Sequence, residues 1–456
     1  MNSAFVPKLW RSGGQASALT GDGAGVREIT VSIWPMVAVL YALLLPREIR
    51  LQVGELQFFA DRLALVAALP FIIRKLMDGA VRFVLPDFLV LLSGAWMIGA
   101  MIYHYGLADG LQRGGSVAID ATIGYYLARI TFRRLTDFRR VLILFSPGLL
   151  VAGLLVTAES LLQRPFVTMW AESTFGRLPL ALGQDARPTL ESAIQFRSGL
   201  MRASGPFSHP ILAGLFLASQ LTLYALSGIR GWPRTIGIAA SFMAFFTVSS
   251  AALLSLMIGL AGIAFEYLTR VARGITWRLA LNILIFFLLV IQLTANSGVA
   301  GILGRMTFNP ETAYFRTLIW EFGTLSVQNY PFFGIGFNQY ERPIWMVTGS
   351  IDAHWLLLAM RFGIIPALGF LVASISAVAA LSRASTKVSL DDRRFYRGIA
   401  ISLTAMVIGM FSVTLWGAVL SWFNVLLGAC VGCAQHSYRD LARLRLTATR
   451  RTAVIR

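Results

Sequence analysis

Apolar stretches long enough to cross a membrane recur along the chain, separated by polar segments. A membrane-spanning helix needs about 20 mainly apolar residues. Windows of that size predict about twelve spans, at residues 29–45, 56–73, 88–103, 117–132, 141–161, 210–226, 236–248, 251–268, 279–293, 355–381, 399–416 and 419–434. Only Ser249 and Ser250 separate the seventh window from the eighth, which leaves their number open. The pattern predicts an all-α polytopic membrane protein.

The polar segments predict how the chain is organised around the membrane. Residues 1–28 are rich in Gly and Ser and predict a disordered tail, 29–434 an integral membrane domain, and 435–456 a basic tail. Arginines concentrate in the short loops on one side, which is the cytoplasmic side by the positive-inside rule. Both termini are then cytoplasmic, and the long polar segments at 162–209 and 296–353 lie outside. Arg47 and Arg50, in a short outer loop, are exceptions to the rule.

Charge and cysteine content change this picture little. The 456 residues are 14% charged and carry a formal net charge of +18, whereas soluble domains carry roughly 25% charged residues. The positive charges lie mostly in loops between apolar runs, so the balance does not indicate nucleic-acid binding. The only cysteines, Cys430 and Cys433, lie in the last apolar window and are interpreted as small buried residues at a helix contact.

The first polar segment contains several arginines and no lysine, and it ends in a candidate anion site. Arg202 is followed by a Gly-Pro turn, His209 and Pro210, and a span begins there. Guanidinium groups bind phosphate bidentately and remain charged. Arg202 is therefore a candidate phosphate ligand, with Arg197 undecided between this role and lipid anchoring, and His209 either a ligand or a residue that fixes the loop.

The second polar segment predicts a surface helix followed by a glycine turn. Asn309-Pro310-Glu311 is typical of a helix start, and apolar residues at helical spacing follow, forming one face. Arg316 and Trp320 share a face of this helix, because they are four residues apart. Gly334 and Gly336 would let the backbone approach a ligand closely. An interfacial Arg/Trp belt is the competing interpretation for the first pair, and an ordinary turn for the second.

The end of this segment contains the strongest candidate for a catalytic side chain. His354 stands at the boundary between the polar loop and an apolar window, where ionisable residues are costly and usually functional. Asp352 or Ser350 is expected to cap the helix that follows. A histidine in the first turn of that helix would be kept neutral and available as a base.

Four motifs in this order resemble the O-antigen ligase and Wzy-type polymerase family of bacterial inner membranes. They are Arg-x-x-Gly-x-x-x-His-Pro at residues 202–210, Arg-x-x-x-Trp at 316–320, Pro-x-x-Gly-x-Gly at 331–336, and Asp-x-His-x-x-Leu with a following glycine at 352–363. The chain departs from the family where Ser-Arg-Gly often follows the seventh span and where asparagine often follows the histidine, since Trp355 stands there.

The resemblance implies a GT-C-like fold and a periplasmic glycosyltransferase reaction. Its donor is a glycan linked to undecaprenyl pyrophosphate, its acceptor is a sugar hydroxyl, and it needs no cofactor or metal. By residue match, Arg202 and Arg316 would bind the pyrophosphate and His354 would be the base. Further candidate site residues are Asp352, Arg197, His209, Trp320, Gly334 and Gly336. Besides the lipid bilayer, a flippase and a chain-length regulator are implied partners.

Several functions remain open on the sequence alone. The favoured hypothesis is a polymerase that joins lipid-linked repeat units, and its nearest rival is a ligase that moves a finished glycan onto lipid A–core. A transporter would place ionisable groups near the bilayer midplane, where the candidates are Asp120, Arg129, Glu159 and Glu266. A metal-dependent polyprenyl-phosphate transferase ranks last, because the start of the first polar segment has no acidic pair to hold a metal.

Overall fold

The computed structural model describes residues 31–53, 56–79, 81–178, 196–197, 199–272, 274–294, 310–346, 349–386 and 388–454. The chain divides into a unit at Met1–Val31 and a unit at Ser32–Arg456. All elements below belong to the second unit. The predicted N-terminal tail, residues 1–28, lies outside the described residues.

The fold is almost entirely helical, as the apolar pattern predicts. Its helices are α1 (Trp34–Ala42), α2 (Ala60–Ala67), α3 (Leu69–Met77), α4 (Leu85–Tyr105), α5 (Leu107–Thr131), α6 (Leu135–Leu162), α7 (Phe166–Phe175), α8 (Pro210–Leu226), α9 (Trp232–Phe242), α10 (Ser250–Val271), α11 (Trp277–Thr294), α12 (Pro310–Asn329), α13 (His354–Phe362), α14 (Ile364–Ser385), α15 (Leu390–Gly409) and α16 (Gly417–Val454). Two short antiparallel hairpins pair β1 (Arg50–Val53) with β2 (Leu56–Phe59), and β3 (Phe196–Arg197) with β4 (Leu200–Met201).

Five helices of the described chain are long and apolar enough to cross a membrane. They are Leu85–Tyr105, Leu135–Leu162, Ser250–Val271, Ile364–Ser385 and Gly417–Gln435. A sixth apolar helix, Pro210–Leu226, is shorter and is buried along most of its length. The prediction of an apolar helical membrane protein is thus confirmed at this level, while twelve spans remain a prediction.

Two of the predicted spans are interrupted in the structure. Residues 56–73 form a strand followed by two short helices, α2 and α3, rather than one helix. Residues 355–381 break at Gly363, which has φ +87°. A side chain there would place its Cβ against the backbone of Phe332, so only glycine lets the two segments pass this closely. The N–H of Ile364, freed by the break, donates to the carbonyl of Pro331 at 2.9 Å.

A third predicted span, 236–248, also ends early. Helix α9 gives way to a 3-10 helix at Met243–Thr247, and Val248 then adopts φ +47°. This conformation is unfavourable for a β-branched residue. Ser249 caps α10, since its Oγ accepts a hydrogen bond from the N–H of Ala252. The seventh and eighth windows are therefore separate helices with a turn between them.

The interior is built where α5 and α16 pack closely, together with α4 and α14. Gly428 on α16 faces the carbonyl of Tyr125 on α5, a contact that a Cβ would block. Small residues of this kind let helix backbones approach in apolar surroundings. Cys430 and Cys433 are buried at the same contact, and Cys433 Sγ lies 3.4 Å from the carbonyl of Phe132. Their interpretation as small packing residues is confirmed.

A second, smaller core holds the two halves of the second polar segment together. The predicted surface helix is present as α12 and begins at Pro310, whereas the proposed capping residue Asn309 lies outside the described residues. Its buried residues Leu318 and Ile319 pack with Leu356 and Met360 of α13. This core fixes the position of Arg316 relative to His354.

Candidate functional site

One cavity of about 1140 Å³ lies where the two polar segments meet the helix ends. Six of the nine predicted site residues line it: Arg197, Arg202, His209, Arg316, Asp352 and His354. They come from distant parts of the chain and four different local structures. The cavity is larger than the ~300–1,000 Å³ typical of small-molecule sites, so it has room for a sizeable ligand.

The loop that carries Arg202 is anchored to α6 by a buried carboxylate. Glu159 is fully buried and accepts hydrogen bonds from the backbone N–H groups of Val167 at 3.0 Å, Gly205 at 2.8 Å and Ser204 at 3.3 Å. The hairpin β3–β4, which contains Arg197, adjoins this loop. Hydrogen bonds to an ionised acceptor are stronger than neutral ones, so Glu159 fixes this part of the first polar segment.

Arg197, Arg202 and Arg316 form a positively charged group around Asp352. The pKa of Arg202 is lowered to about 10, mainly because burial disfavours the charged form, and Arg197 and Arg316 lower it further while Asp352 opposes them. The pKa of Arg316 is also lowered, first by burial and then by Arg197. Both groups still carry their charge at neutral pH. Positive charge held this closely attracts an anion.

The side chain of Arg316 is buried, and the packing of helix α12 keeps it in place. Its residue is 8% exposed, and its Nε is buried without a hydrogen-bond partner among the described residues. Its neighbours Leu318 and Ile319 belong to the core with α13, which keeps the helix in place. A buried donor without a partner is costly. The cost is removed if a ligand oxygen accepts from this guanidinium.

His354 is held at both its backbone and its ring. Its N–H donates to the carbonyl of Met410 at 2.8 Å, and its Nδ1 accepts from the N–H of Leu415 at 3.3 Å. Ala353 occupies the N-cap position, so the prediction that Ser350 or Asp352 caps this helix is wrong: the carbonyl of Met410 satisfies the first N–H. The pKa of His354 is lowered to about 3, mainly by burial and then by Arg361.

These contacts decide which ring nitrogen of His354 carries the proton. A backbone N–H can only donate, so Nδ1 is the acceptor and the neutral ring is protonated at Nε2. The side chain is 3% exposed and lines the cavity. Nε2–H is then a hydrogen-bond donor. This tautomer does not fit the predicted role of His354 as a base, although the prediction that it is neutral agrees with its lowered pKa.

His209 shows the same arrangement at the start of α8. Its Nδ1 accepts from the N–H of Ile211 at 3.2 Å, which makes it the N-cap of that helix. Its ring contacts Trp416 edge-on at 5.8 Å between ring centroids. The pKa of His209 is lowered to about 4, first by burial and then by Arg202. This second neutral imidazole therefore also has its proton on Nε2.

Asp352 is the carboxylate placed between the arginines. Its Oδ1 accepts from the Ser350 hydroxyl at 3.0 Å. Its charge acts on the pKa values of Arg202 and Arg316, which places it near both. The other carboxylates of the wall have partners: Asp120 pairs with Arg62 at 2.6 Å, for example. Among the described residues, Asp352 is the wall carboxylate whose hydrogen-bond partner is a single hydroxyl.

Three predicted site residues lie outside the cavity wall and serve packing instead. Trp320 donates from Nε1 to the carbonyl of Phe411 at 3.3 Å and stacks on the Phe411 ring, so it does not stack on Arg316. Gly334 and Gly336 have φ +63° and +64°. A Cβ on Gly334 would lie 2.3 Å from the carbonyl oxygen of Met360. The close approach that these glycines allow is to the chain itself.

The glycine turn is further held by α4. The Nε2 of His104 lies 3.0 Å from the carbonyl oxygen of Gly334. The hydroxyl of Tyr105 accepts from the N–H of Phe337 at 2.6 Å, and Trp96 donates to the carbonyl of Phe332 at 2.9 Å. These contacts give the turn a fixed shape beside the cavity.

The cavity wall also contains residues that the sequence did not single out as site residues. Arg47, Arg361, Tyr340, Ser249 and Ser250 are examples. Arg47 did carry a signal, since it was an exception in the predicted topology, and it lines this cavity. The remaining residues come together only through folding.

Within the described residues no three carboxylate, imidazole or thiol groups lie close enough to hold a metal ion. No family model, curated protein or solved structure matches this chain. The chemistry of the cavity and the resemblance of its motifs are therefore the basis for assigning a function.

Proposed function

We propose that the protein is a membrane glycosyltransferase that uses a glycan linked to undecaprenyl pyrophosphate as donor and a sugar hydroxyl as acceptor. The single observation that carries this proposal is the convergence of Arg197, Arg202 and Arg316 on one cavity together with two neutral histidines. The motifs that resemble the O-antigen ligase and Wzy-type polymerase family supply four of these five residues. The same resemblance supports a GT-C-like fold and a location in the bacterial inner membrane.

The donor binds through its pyrophosphate in this account. Fixed guanidinium groups neutralise the negative charge that develops on the leaving pyrophosphate, and such preorganised groups act strongly where water is excluded. The Nε2–H groups of His354 and His209 add neutral donors to the same oxygens. An arginine fork recognises phosphate oxygens in two parallel hydrogen bonds, which also orients the lipid-linked sugar.

Asp352, rather than His354, accepts the proton of the attacking hydroxyl in this proposal. His354 already uses Nδ1 to accept from Leu415 and has its proton on Nε2. Asp352 is a carboxylate beside the same arginines, with one oxygen engaged by Ser350. A base must lie within reach of the proton it removes, and the presence of Asp352 in the same cavity as the arginines supports this role.

The buried charged side chains give less support to the transporter hypothesis than to an enzyme. Asp120 pairs with Arg62, and Arg129 pairs with Asp87 at 3.0 Å. Glu266 pairs with Arg397 and, at 3.6 Å, with Arg270. Glu159 is satisfied by backbone N–H groups of the first polar segment. Paired ions of this kind stabilise contacts between elements, and transport would need them to exchange partners.

The proposal is tested by identifying the lipid-linked glycans that accumulate in a strain that lacks the gene for this protein. Accumulation of single repeat units on undecaprenyl pyrophosphate would identify a polymerase, and full-length unattached polymer would identify a ligase. Wild-type protein should restore the product in this strain, whereas Asp352→Asn protein, inserted normally in the membrane, should not. A normal glycan profile in the deletion strain would refute both enzymatic functions.

A further inference from the structure

The stretch 338–342 contributes a different chemistry to the cavity from that of the arginines. Asn338, Gln339 and Tyr340 line it with two amides and a phenol, and Arg342 follows. Gln339, Tyr340 and Arg342 also line a second, open cavity of about 440 Å³, together with Glu341, Pro343, Ile344 and Met346. This wall is therefore shared by two adjoining spaces.

Tyr340 has an unexplained hydroxyl at this wall. The residue is 5% exposed, and its ring packs in the core with Leu318, Met346 and Met360. Its Oη is buried and has no hydrogen-bond partner among the described residues. Buried polar groups in proteins are nearly always paired, and an exception calls for an explanation. A phenylalanine would fill the same core without this cost, so the hydroxyl points to a ligand.

The wall is held in a defined shape by its own loop. Arg342 donates from Nε to the carbonyl of Met346 at 3.0 Å, and the N–H of Met346 donates to the carbonyl of Pro343 at 2.9 Å. The guanidinium of Arg342 lies 5.6 Å from the centre of the Tyr340 ring. These contacts hold Tyr340 in place. Asn338 and Gln339 are exposed, so their amides are accessible to a ligand.

Asp352 links this wall to the arginines. Its charge acts on the Tyr340 phenol as well as on Arg202 and Arg316. Amide and hydroxyl groups both donate and accept hydrogen bonds, as neutral sugar hydroxyls do, whereas guanidinium groups only donate and suit anions. The cavity is accordingly lined both by guanidinium groups and by neutral amide and phenol groups, and Asp352 lines it as well.

We propose that Asn338, Gln339 and Tyr340 form the binding subsite for the acceptor glycan, which extends along this wall into the second cavity. The inference rests on the proposed glycosyltransferase function and assigns the side of the site that the resemblance leaves unassigned. The acceptor oxygen forms a bond to the anomeric carbon of the donor sugar, and the bond from that carbon to the phosphate oxygen breaks. Its electron pair leaves with the pyrophosphate, and the hydroxyl proton passes to Asp352.

The exposed tip of the same loop extends the subsite. Trp345, with 59% of its surface exposed, directly follows Ile344 of the second cavity. An exposed tryptophan offers a flat apolar face with one N–H donor, which suits stacking on a sugar ring. An acceptor of several sugars could reach it from the cavity.

The test compares acceptor and donor binding in the full-length protein in lipid nanodiscs. The donor is the lipid-linked glycan extracted from the deletion strain. Two acceptors are offered separately: the same glycan released from its lipid pyrophosphate, which can accept but not donate, and lipid A–core oligosaccharide. Tyr340→Phe removes only the hydroxyl, Gln339→Ala removes an exposed amide, and Tyr314→Phe makes the same chemical change at an exposed tyrosine of α12 outside both cavities.

We expect Tyr340→Phe and Gln339→Ala to raise the KM for the acceptor by about 2- to 10-fold, the equivalent of one neutral hydrogen bond. Binding of undecaprenyl pyrophosphate should not change in either variant, and Tyr314→Phe should behave as the wild type. Unchanged acceptor KM in both variants, with an active wild type, would overturn the subsite alone. Weakened binding of undecaprenyl pyrophosphate would also overturn it. A wild type that transfers to neither acceptor would overturn the glycosyltransferase function on which it rests.

Discussion

Replacing Arg316 by glutamine should weaken pyrophosphate binding and leave the unliganded protein at least as stable. The residue is 8% exposed, its Nε lacks a partner among the described residues, and its pKa is lowered mainly by burial. Replacing a structural arginine would instead lower the stability of the unliganded protein, because it breaks an ion pair or a hydrogen bond. The two readouts together therefore separate a ligand-binding arginine from a structural one.

The size of the effect follows from the hydrogen bond that would be lost. A hydrogen bond to a charged group contributes about 1.5–3 kcal/mol. That range corresponds to about 10- to 150-fold in affinity. In the unliganded protein the substitution removes a charge whose burial is costly; the attraction of Asp352 opposes this cost and the repulsion of Arg197 adds to it. The Tm should therefore stay the same or rise.

The assay is thermal unfolding of the purified protein in nanodiscs, with and without undecaprenyl pyrophosphate. A ligand that binds only the folded protein raises stability by an amount that depends on its concentration relative to Kd. The wild type should show a larger ligand-induced rise in Tm than Arg316→Gln. Arg316→Lys keeps the charge but not the fork, and should fall between them.

Arg140→Gln is a suitable control, because Arg140 is largely exposed, weakly paired with Asp137 at 4.0 Å and outside the cavity. It should leave the ligand-induced rise unchanged. A marked fall in the Tm of unliganded Arg316→Gln, with ligand binding preserved, would refute the reasoning. Arg316 would then be a structural residue.

Three further predictions concern the histidine, the glycine turn and metal ions. His354→Gln should retain more transfer activity than His354→Ala, because glutamine can still donate a hydrogen bond. The pKa of His354 is about 3, so the ring stays neutral between about pH 5 and pH 8. A fall in the wild-type rate near pH 6.5 that disappears in His354→Gln would show instead that the ring is protonated there. Gly334→Ala should lower Tm and yield, since φ +63° and the contact with Met360 cost roughly 1–2 kcal/mol or more, and normal stability would contradict this geometry. EDTA should leave transfer unchanged, because guanidinium groups provide the positive charge, and inhibition that Mg²⁺ reverses would support a metal-dependent transferase.

Local sequence signals predicted some elements closely. Helix α8 has the predicted bounds, because Pro210 is well placed at a helix start and His209 caps it. Helix α12 begins at the predicted proline and buries part of its apolar face, Leu318 and Ile319, while Phe315 and Leu325 remain largely exposed. In both cases the determinants lie within a few residues of each other.

Other features depend on contacts between distant segments and could not be read from local patterns. The break at Gly363 follows from its approach to Phe332, and the tautomer of His354 follows from the N–H of Leu415, 61 residues away. The cap expected from Asp352 is replaced by the carbonyl of Met410. Asp352 therefore does not serve as the cap of this helix, and the proposal gives it the role of base that the sequence had suggested for His354.

The positive-inside rule gave a further signal through its exceptions. Arg47 lines the cavity, and Arg50 donates to the carbonyls of Gly176 at 3.3 Å and Arg177 at 2.9 Å, which fixes the end of α7. The sequence supplied these two positions, but only the fold shows that one faces the cavity and the other ties a loop.

Saturable binding of undecaprenyl pyrophosphate tests most directly whether these arginines enclose a site for a lipid diphosphate. Radiolabelled undecaprenyl pyrophosphate and undecaprenyl phosphate should be compared on wild-type protein and on the double variant Arg202→Gln/Arg316→Gln. We expect the wild type to bind the pyrophosphate saturably and more tightly than the monophosphate, and the double variant to lose that preference. Equal binding of both lipids by the wild type, or a preference that survives in the double variant, would contradict the account.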